Sequence, residues 1–173
     1  MNEIEYRLQR PFPANRISWR VGSVTKAGDK GMPLAYIDAR DVMQRLDKVI
    51  GIGKWQCRYP ENYGGLLICE IGIKFDGELS SEWVWKANGA GDTQVEAEKG
   101  KASDAFKRSA VLWGIGRYLY ELPNQWVALE NRRFKRGVED MLGETLPHWA
   151  TPEGFDKAML KRGKIEKEWI TND

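Results

Sequence analysis

The sequence of 173 residues has little of the chemistry on which catalytic and metal sites depend. It contains one histidine, His148, and two cysteines, Cys57 and Cys69, whose spacing does not match a zinc site. No serine–histidine–acid series or paired acid–base arrangement is recognisable. We therefore expect a protein that is not an enzyme and that binds neither a metal nor another cofactor.

Long apolar stretches are also missing. No run approaches the length of a membrane span, and the segment Met1–Glu5 is acidic where a secretory signal would be apolar. Without an export signal, the two cysteines are expected to be reduced thiols rather than a disulfide. These features predict a protein of the cytoplasm that does not enter a membrane.

Excess charge of one sign is scarce. The 27 lysines and arginines nearly balance 25 aspartates and glutamates, so the net charge of +2 does not by itself indicate a nucleic-acid partner. The hydrophobic fraction of 42% is typical of a globular chain, and the length fits one domain over residues 1–173. The distribution of charge along the chain is therefore more informative than its sum.

Prolines and glycines divide this domain into three parts. Residues 1–33 are predicted to be an N-terminal arm with little regular structure. Residues 34–122 are predicted to form the core, and residues 123–173 a basic loop and a C-terminal helix that begins at Thr151. The interruptions in the arm are Pro11, Pro13, Gly28, Gly31 and Pro33.

Apolar spacing predicts a helix and three strands at the start of the core. After Asp38, an N-cap residue, apolar side chains recur at helical spacing until Gly51. Alternating apolar residues then predict an antiparallel meander of three strands, with a three-residue loop, Asp76–Glu78, in its second hairpin. The cross-strand pairs that this loop predicts are Ile71 with Trp83 and Cys69 with Trp85.

A long helix is predicted next, from about Thr93, at capping-box spacing from Glu96, to Tyr120. One of its faces is apolar and must cover the sheet; it consists of Ala102, Ala105, Phe106, Ser109, Leu112, Trp113 and Gly116. The predicted fold class is therefore α+β: a helix, a three-stranded antiparallel β-meander, a long helix packed across the sheet and a short C-terminal helix.

Positive side chains border the apolar face of the long helix. Lys101 and Arg108 lie on one line at its edge, and Lys107 projects farther into solvent. Lys99 and Arg117 flank the opposite edge. Cations on a packed helix suit a phosphate backbone, which supplies sequence-independent affinity. An ordinary solvated helix face explains the same charges, so the pattern leaves both interpretations open.

The glycine-rich segment Gly89–Thr93 offers an anion-binding helix N-terminus, although it lacks the Gly-Lys-Ser/Thr ending of a P-loop. A flexible turn between strand and helix explains the same residues. An enzyme that binds a phosphate or nucleotide at this segment is one alternative function for the chain. A non-catalytic structural interaction domain, in which the basic residues only aid solubility, is the other.

The eight tryptophans raise the question of base stacking. Four of them lie in phase with apolar rows, which favours core packing instead; these are Trp55, Trp83, Trp85 and Trp113. Two further basic clusters, Arg132–Arg136 and Lys157–Lys164, either contact DNA or solubilise the surface.

Two motifs resemble the annealing domain of the Rad52 family. Tyr36–Val42, closing at Gly51–Trp55, resembles the start of that domain, and Glu98–Ala110 followed by Leu112–Gly114 resembles its long-helix signature. The likeness covers roughly residues 34–122, and two motifs in the right order are more specific than either alone.

The resemblance implies sequence-independent binding of single-stranded DNA and ATP-independent annealing of complementary strands in homologous recombination and double-strand break repair. It also implies a homo-oligomeric ring or helical filament, and it makes a single-strand-binding protein a candidate partner. The DNA-binding residues of the family's inner groove fall on Lys107, Arg108, Arg40 and Lys101. Those of a second, weaker site fall on Lys74, Lys86 and Lys99.

The chain departs from the animal members of the family at three positions. They carry a backbone-binding arginine where this chain has Asp41, an aromatic residue at Ile52 and a further arginine at Val111. We expect Arg40 to replace the first of these arginines by a one-residue shift. We expect the protein to lack the long C-terminal tail of eukaryotic members, as phage recombinases of this family do. A phage origin and a place in the bacterial host cytoplasm are therefore expected.

Overall fold

The computed structural model describes residues 1–60, 66–76, 81–91, 98–134 and 146–170. The helices in these residues are α1 (Glu3–Gln9), α2 (Ala39–Val49), α3 (Glu98–Leu112) and α4 (Pro152–Lys161). The strands are β1 (Ile17–Val24), β2 (Lys30–Ile37), β3 (Trp55–Arg58), β4 (Leu67–Asp76), β5 (Ser81–Ala90), β6 (Val127–Glu130) and β7 (Arg133–Phe134).

The strands form two antiparallel sheets. One has the order β1–β2–β6–β7, and the other has the order β3–β4–β5. The mixed α+β class predicted from the sequence is confirmed, with four α-helices and these two sheets in the described part of the chain. Within that same part, no helix is long and apolar enough to span a bilayer.

The chain forms two compact units. The sheet–helix unit comprises Asn2–Gln9 and Ala39–Ile115, and the terminal unit comprises Met1, Arg10–Asp38 and Gly116–Asp173. The limits of these units differ from the predicted division into arm, core and C-terminal segment. That the whole chain acts as a single DNA-annealing domain stays a prediction.

In the sheet–helix unit, α3 lies against one face of the three-stranded sheet. Trp55 of β3 meets Phe106 of α3 with ring centroids 6.2 Å apart. The buried residues of this layer are Cys69, Ile71 and Ile73 on β4 and Ala105, Phe106, Ser109 and Ala110 on α3. Burial of such apolar side chains supplies most of the stabilisation that holds helix and sheet together.

The long helix ends earlier than the sequence predicts. It stops at Leu112 rather than Tyr120 because Gly114 and Gly116 adopt φ values of 94° and 71°, which a right-handed helix cannot contain. A 3₁₀ turn over Arg117–Glu121 follows. The predicted helix therefore consists of an α-helix, a glycine-containing reversal and a separate short turn.

One prediction for the apolar face of this helix is wrong, and the predicted N-terminal cap is not tested. Leu112, predicted to face the core, is 37% exposed, while Ala110 is fully buried. The predicted capping pair, Thr93 and Glu96, lies outside the described residues.

The register of the β4–β5 hairpin also differs from the prediction. Asp76 pairs with Ser81, so residues 77–80 separate the paired strands instead of a three-residue loop. The predicted partners Trp83 and Trp85 are therefore wrong: Ile71 lies opposite Lys86, and Cys69 opposite Asn88. An odd-numbered shift of register reverses which side chains share a sheet face.

The prediction that residues 1–33 contain little regular structure is wrong. Helix α1 and the hairpin of β1 and β2 occupy much of this segment. At the hairpin turn, Thr25 Oγ1 donates a hydrogen bond to Asp29 Oδ1 at 2.7 Å. Pro33 lies within β2 opposite Val21, beside a register shift in β1, where the ladder is already interrupted.

Helix α4 begins where the sequence predicts. The side-chain oxygen of Thr151 accepts a hydrogen bond from the Gly154 N–H at 3.1 Å, as expected of an N-cap. The helix ends before Gly163, whose φ of 60° is left-handed. In the sequence, the apolar spacing of Phe155, Ala158 and Met159 continues to Ile165 and Trp169, but these last two residues lie beyond the helix.

Candidate nucleic-acid interface

Helix α3 is tied to the sheet by side-chain hydrogen bonds as well as by apolar packing. Ser109 Oγ donates to the carbonyl oxygen of Lys86 at 2.8 Å, and Asn88 Nδ2 donates to the carbonyl oxygen of Arg108 at 3.3 Å. Ser109 is completely buried. The predicted DNA-binding cations of α3 are thus carried by a helix whose position on β5 is set by specific contacts.

Replacing Ser109 by alanine should lower the free energy of unfolding by about 1–2 kcal/mol, because the Lys86 carbonyl loses its side-chain donor in a buried layer. Denaturant unfolding measures the change. Ser103→Ala is the matched control, since Ser103 lies on the same helix and is only half-buried. Equal losses in the two variants would show that the Ser109 hydrogen bond contributes nothing specific.

The predicted inner-groove cations of α3 differ in exposure. Arg108 is exposed, whereas Lys101 and Lys107 are half-buried, so Lys107 does not project into solvent as the helix pattern predicts. Arg108 Nε lies 2.8 Å from Asp104 Oδ2, one helical turn away. The carboxylate holds the guanidinium in one place and offsets part of its charge.

The fourth inner-groove residue, Arg40, lies in the first turn of α2 and is exposed. Its neighbour Asp41 is 7% exposed and is buried with Val42 and Leu46. The position at which animal relatives carry arginine therefore points inward here, and the adjacent arginine reaches the surface. This arrangement agrees with the expected one-residue shift, while a DNA-binding role for Arg40 stays a prediction.

The two residues of the predicted second site whose side chains the structure describes, Lys74 and Lys86, are not brought together. Lys74 lies opposite Trp83, and Lys86 lies opposite Ile71. Because side chains alternate between the two faces along a strand, Lys74 and Lys86 lie on opposite faces of the three-stranded sheet. Lys86 Nζ donates to the carbonyl oxygen of Leu112 at 3.0 Å and lies 4.2 Å from the Trp113 ring centroid. Lys86 thus caps the C-terminal end of α3. The Lys99 side chain lies outside the described residues.

The thiols of Cys57 and Cys69 and the phenol of Tyr59 are neutral at physiological pH. Desolvation raises the pKa of the Cys69 thiol to about 11, and it is the first cause of the raised pKa values of Tyr59 and Cys57. Tyr59 also donates to the carbonyl oxygen of Ala102 at 3.3 Å. Both cysteines are free thiols, as predicted. These three side chains therefore carry no charge, and the charge around them comes from lysines, arginines and carboxylates.

The sequence does not predict the character of the opposite sheet face. We call it the outer face and define it by Gln56, Arg58, Glu70, Gly72, Lys74, Trp83, Trp85 and Ala87, which the registers of β3, β4 and β5 place on the side away from α3. Trp83 and Trp85 are half-buried there and are not part of the core beneath α3. The alternation of Trp83 and Trp85 is visible in the sequence, but the wrong register assigns it to the core.

The remaining candidate features are only partly described. Gly89 and Ala90 of the proposed anion-binding segment lie within β5, and Asp92 and Thr93 lie outside the described residues. In the terminal unit the cations of α4 and its C-terminal turn are exposed, as are Arg132 and Arg133. Among the described residues, no three histidine, cysteine or acidic side chains are grouped as metal ligands.

Comparison with known proteins agrees with the two motifs. The model of the Rad52/22 family of double-strand break repair proteins matches residues 1–63 and 65–137. The single-stranded DNA-binding protein DdrA of Deinococcus deserti is 37% identical over 161 residues, covering 88% of this chain and 72% of that protein. DdrA of Deinococcus radiodurans is 34% identical over 161 residues, covering 88% and 70%. The resemblance is therefore confirmed: the chain belongs to the Rad52/22 family.

Proposed function

We propose that this protein binds single-stranded DNA without sequence preference and anneals complementary strands without ATP, in homologous recombination and double-strand break repair. The observation that carries the proposal is the set of cations on α3, a helix that Ser109 and Asn88 tie to the sheet. Membership of the Rad52/22 family and the names of the DdrA relatives support it.

The geometry suits a grip on the DNA backbone. Lys101, Lys107 and Arg108 present positive charge from one rigid helix, and their contacts with phosphate release counterions whatever the base sequence. Arg40 at the start of α2 extends the same inner site. A strand held by its phosphates keeps its bases available for pairing, and the neutralised backbone repels a second strand less. Annealing on such a surface needs no catalytic group.

Self-association completes the proposal. A single subunit offers few phosphate contacts, and many subunits on one strand convert weak contacts into stable binding. We propose a ring or helical filament of identical subunits. In the described part of the terminal unit, β1 is an edge strand of its sheet, which fits a role in joining subunits. The phage origin, the bacterial cytoplasm and a single-strand-binding partner stay predictions.

Three measurements on the purified chain test this function. Fluorescence anisotropy compares binding of a labelled single strand with that of the duplex, and a fluorophore–quencher pair follows annealing with and without ATP. Light scattering gives the mass of the protein with and without DNA. We expect preference for the single strand, ATP-independent annealing and a multimeric mass. A monomer that ignores single strands in dilute buffer contradicts the proposal.

Removing the carboxylate beside Arg108 should strengthen DNA binding. Asp104→Asn removes an exposed ion pair worth roughly 0.2–1 kcal/mol, so affinity for single-stranded DNA should rise about 1.4- to 5-fold. Anisotropy titration at low salt measures it. Glu153→Gln on α4 makes the same change of charge at another exposed helix position. A similar gain from both variants would mean that only net charge matters.

A further inference from the structure

The outer face of the three-stranded sheet carries a continuous stacking surface. The rings of Trp83 and Trp85 have centroids 5.8 Å apart and planes inclined by 26°. The guanidinium carbon of Arg58 lies 3.9 Å from the centroid of Trp85. The two indole rings of β5 therefore lie next to each other on one sheet face, and the Arg58 guanidinium of β3 lies over the ring of Trp85.

A glycine keeps this surface flat. Gly72 lies opposite Trp85, and a Cβ atom added to Gly72 would come within 2.7–2.8 Å of three atoms of the indole ring. The ring thus rests against the backbone of β4, which no other residue would allow without displacement. Since Gly72 lies against one face of the indole, Arg58 covers the other, and its side chain remains 59% exposed.

The residues around the stacking surface are polar. Lys74 lies opposite Trp83, Gln56 opposite Gly72, and Arg58 pairs with Glu70. Protein interfaces also favour tryptophan and arginine but are depleted of lysine and glutamate, whereas this face carries Lys74 and Glu70. Indole and guanidinium planes next to cations instead match unpaired nucleobases with their phosphates, the combination by which sheets bind single strands.

We propose that the outer face is a second contact site for single-stranded DNA, at which unpaired bases stack on Trp83 and on the Arg58 guanidinium that covers Trp85. Lys74 stands beside Trp83, where it attracts the adjoining phosphate. This inference extends the proposed single-strand binding: α3 grips phosphates on one side of the sheet, and the outer face holds bases on the other.

An oligonucleotide without bases separates the two kinds of contact. Anisotropy titrations compare a thymidine oligonucleotide with an abasic one of equal length, which retains the phosphates. The wild-type chain should bind the thymidine strand at least about fivefold more tightly, the lower end of the stacking contribution of one base. The Trp83→Leu/Trp85→Leu variant should lose that preference and keep its affinity for the abasic strand.

Further variants make the outcome decisive. Trp83→Phe/Trp85→Phe retains aromatic planes and should keep most of the preference, whereas Arg58→Gln should reduce it without removing an indole. Lys107→Ala/Arg108→Ala should weaken binding of the thymidine strand and of the abasic strand by the same factor. A wild-type chain that does not distinguish the strands, or leucine variants that still do, would overturn the inference. The inference would also be overturned if the leucine variant changed the mass of the protein in light scattering but not its DNA binding, since the outer face would then join two copies of the chain. Failure to bind either strand would instead sink the proposed function.

Discussion

Replacing Lys107 and Arg108 together by alanine should weaken binding of single-stranded DNA about 25-fold at about 0.1 M salt. Each phosphate contact on a single strand contributes about 0.7 to the slope of log affinity against log salt, so two contacts contribute about 1.4. The slope measured by anisotropy should fall by that amount. Annealing of complementary strands should slow in parallel, because it requires both strands to be bound.

Two controls separate position from charge. Lys157→Ala/Lys161→Ala removes the same charge from exposed positions of α4, and it should change affinity and slope much less. The exchange Lys107→Arg/Arg108→Lys keeps both charges, on which phosphate affinity depends, and should retain most of the binding. Circular dichroism and the unfolding midpoint establish that each variant is folded. A folded double-alanine variant with wild-type slope contradicts a role for this pair.

The helices could be predicted where the sequence carries strong end signals. Asp38 and Gly51 bracket α2, and Thr151 caps α4, as the structure shows. The end of α3 could not be placed in the same way. Gly114 and Gly116 are the signal for it, but whether an isolated glycine continues or reverses a helix depends on its φ angle, which tertiary contacts decide.

The hairpin of β4 and β5 shows why one error in register affects a predicted site. Asp76 and the glycine after it suggest a short loop, and the choice of loop length fixes every cross-strand pair. The actual pairing of Asp76 with Ser81 shifts β5, so that Trp83 and Trp85 move from the core to the outer face. The stacking surface therefore could not be anticipated, although all of its residues are aromatic or cationic.

The strands β1 and β2 were not predicted because β2 contains residues that usually interrupt sheets. Pro33 and Gly31 lie within β2, but β6 pairs with β2 only at Lys30 and Gly31, so Pro33 does not interrupt that ladder. Apolar alternation of Ile17, Trp19 and Val21 was the available signal. The cations of α3 were accessible to sequence reasoning because helical periodicity alone places them, whereas sheet surfaces require a register.

A buried ion pair of the terminal unit should have the largest effect on stability. Arg10 Nε and one terminal guanidinium nitrogen donate to the two carboxylate oxygens of Asp156, at 3.1 Å to Oδ1 and 2.9 Å to Oδ2. The two side chains are only 12% and 8% exposed. This forked contact joins the segment after α1 to α4 across 146 positions of sequence.

Arg10→Ala or Asp156→Ala leaves the other charge buried without its partner, which should cost about 3–5 kcal/mol of unfolding free energy. For a chain of this size, a loss of 3 kcal/mol lowers the thermal midpoint by roughly 6–12 °C. Arg10→Met/Asp156→Leu removes both charges and should recover much of the loss, because no charge then remains unpaired. Lys54→Ala breaks the exposed pair with Asp76 and should cost at most about 1 kcal/mol. If the single and double variants lose the same stability by calorimetry, desolvation of an unpaired charge is not the cause, and the two residues act by packing alone.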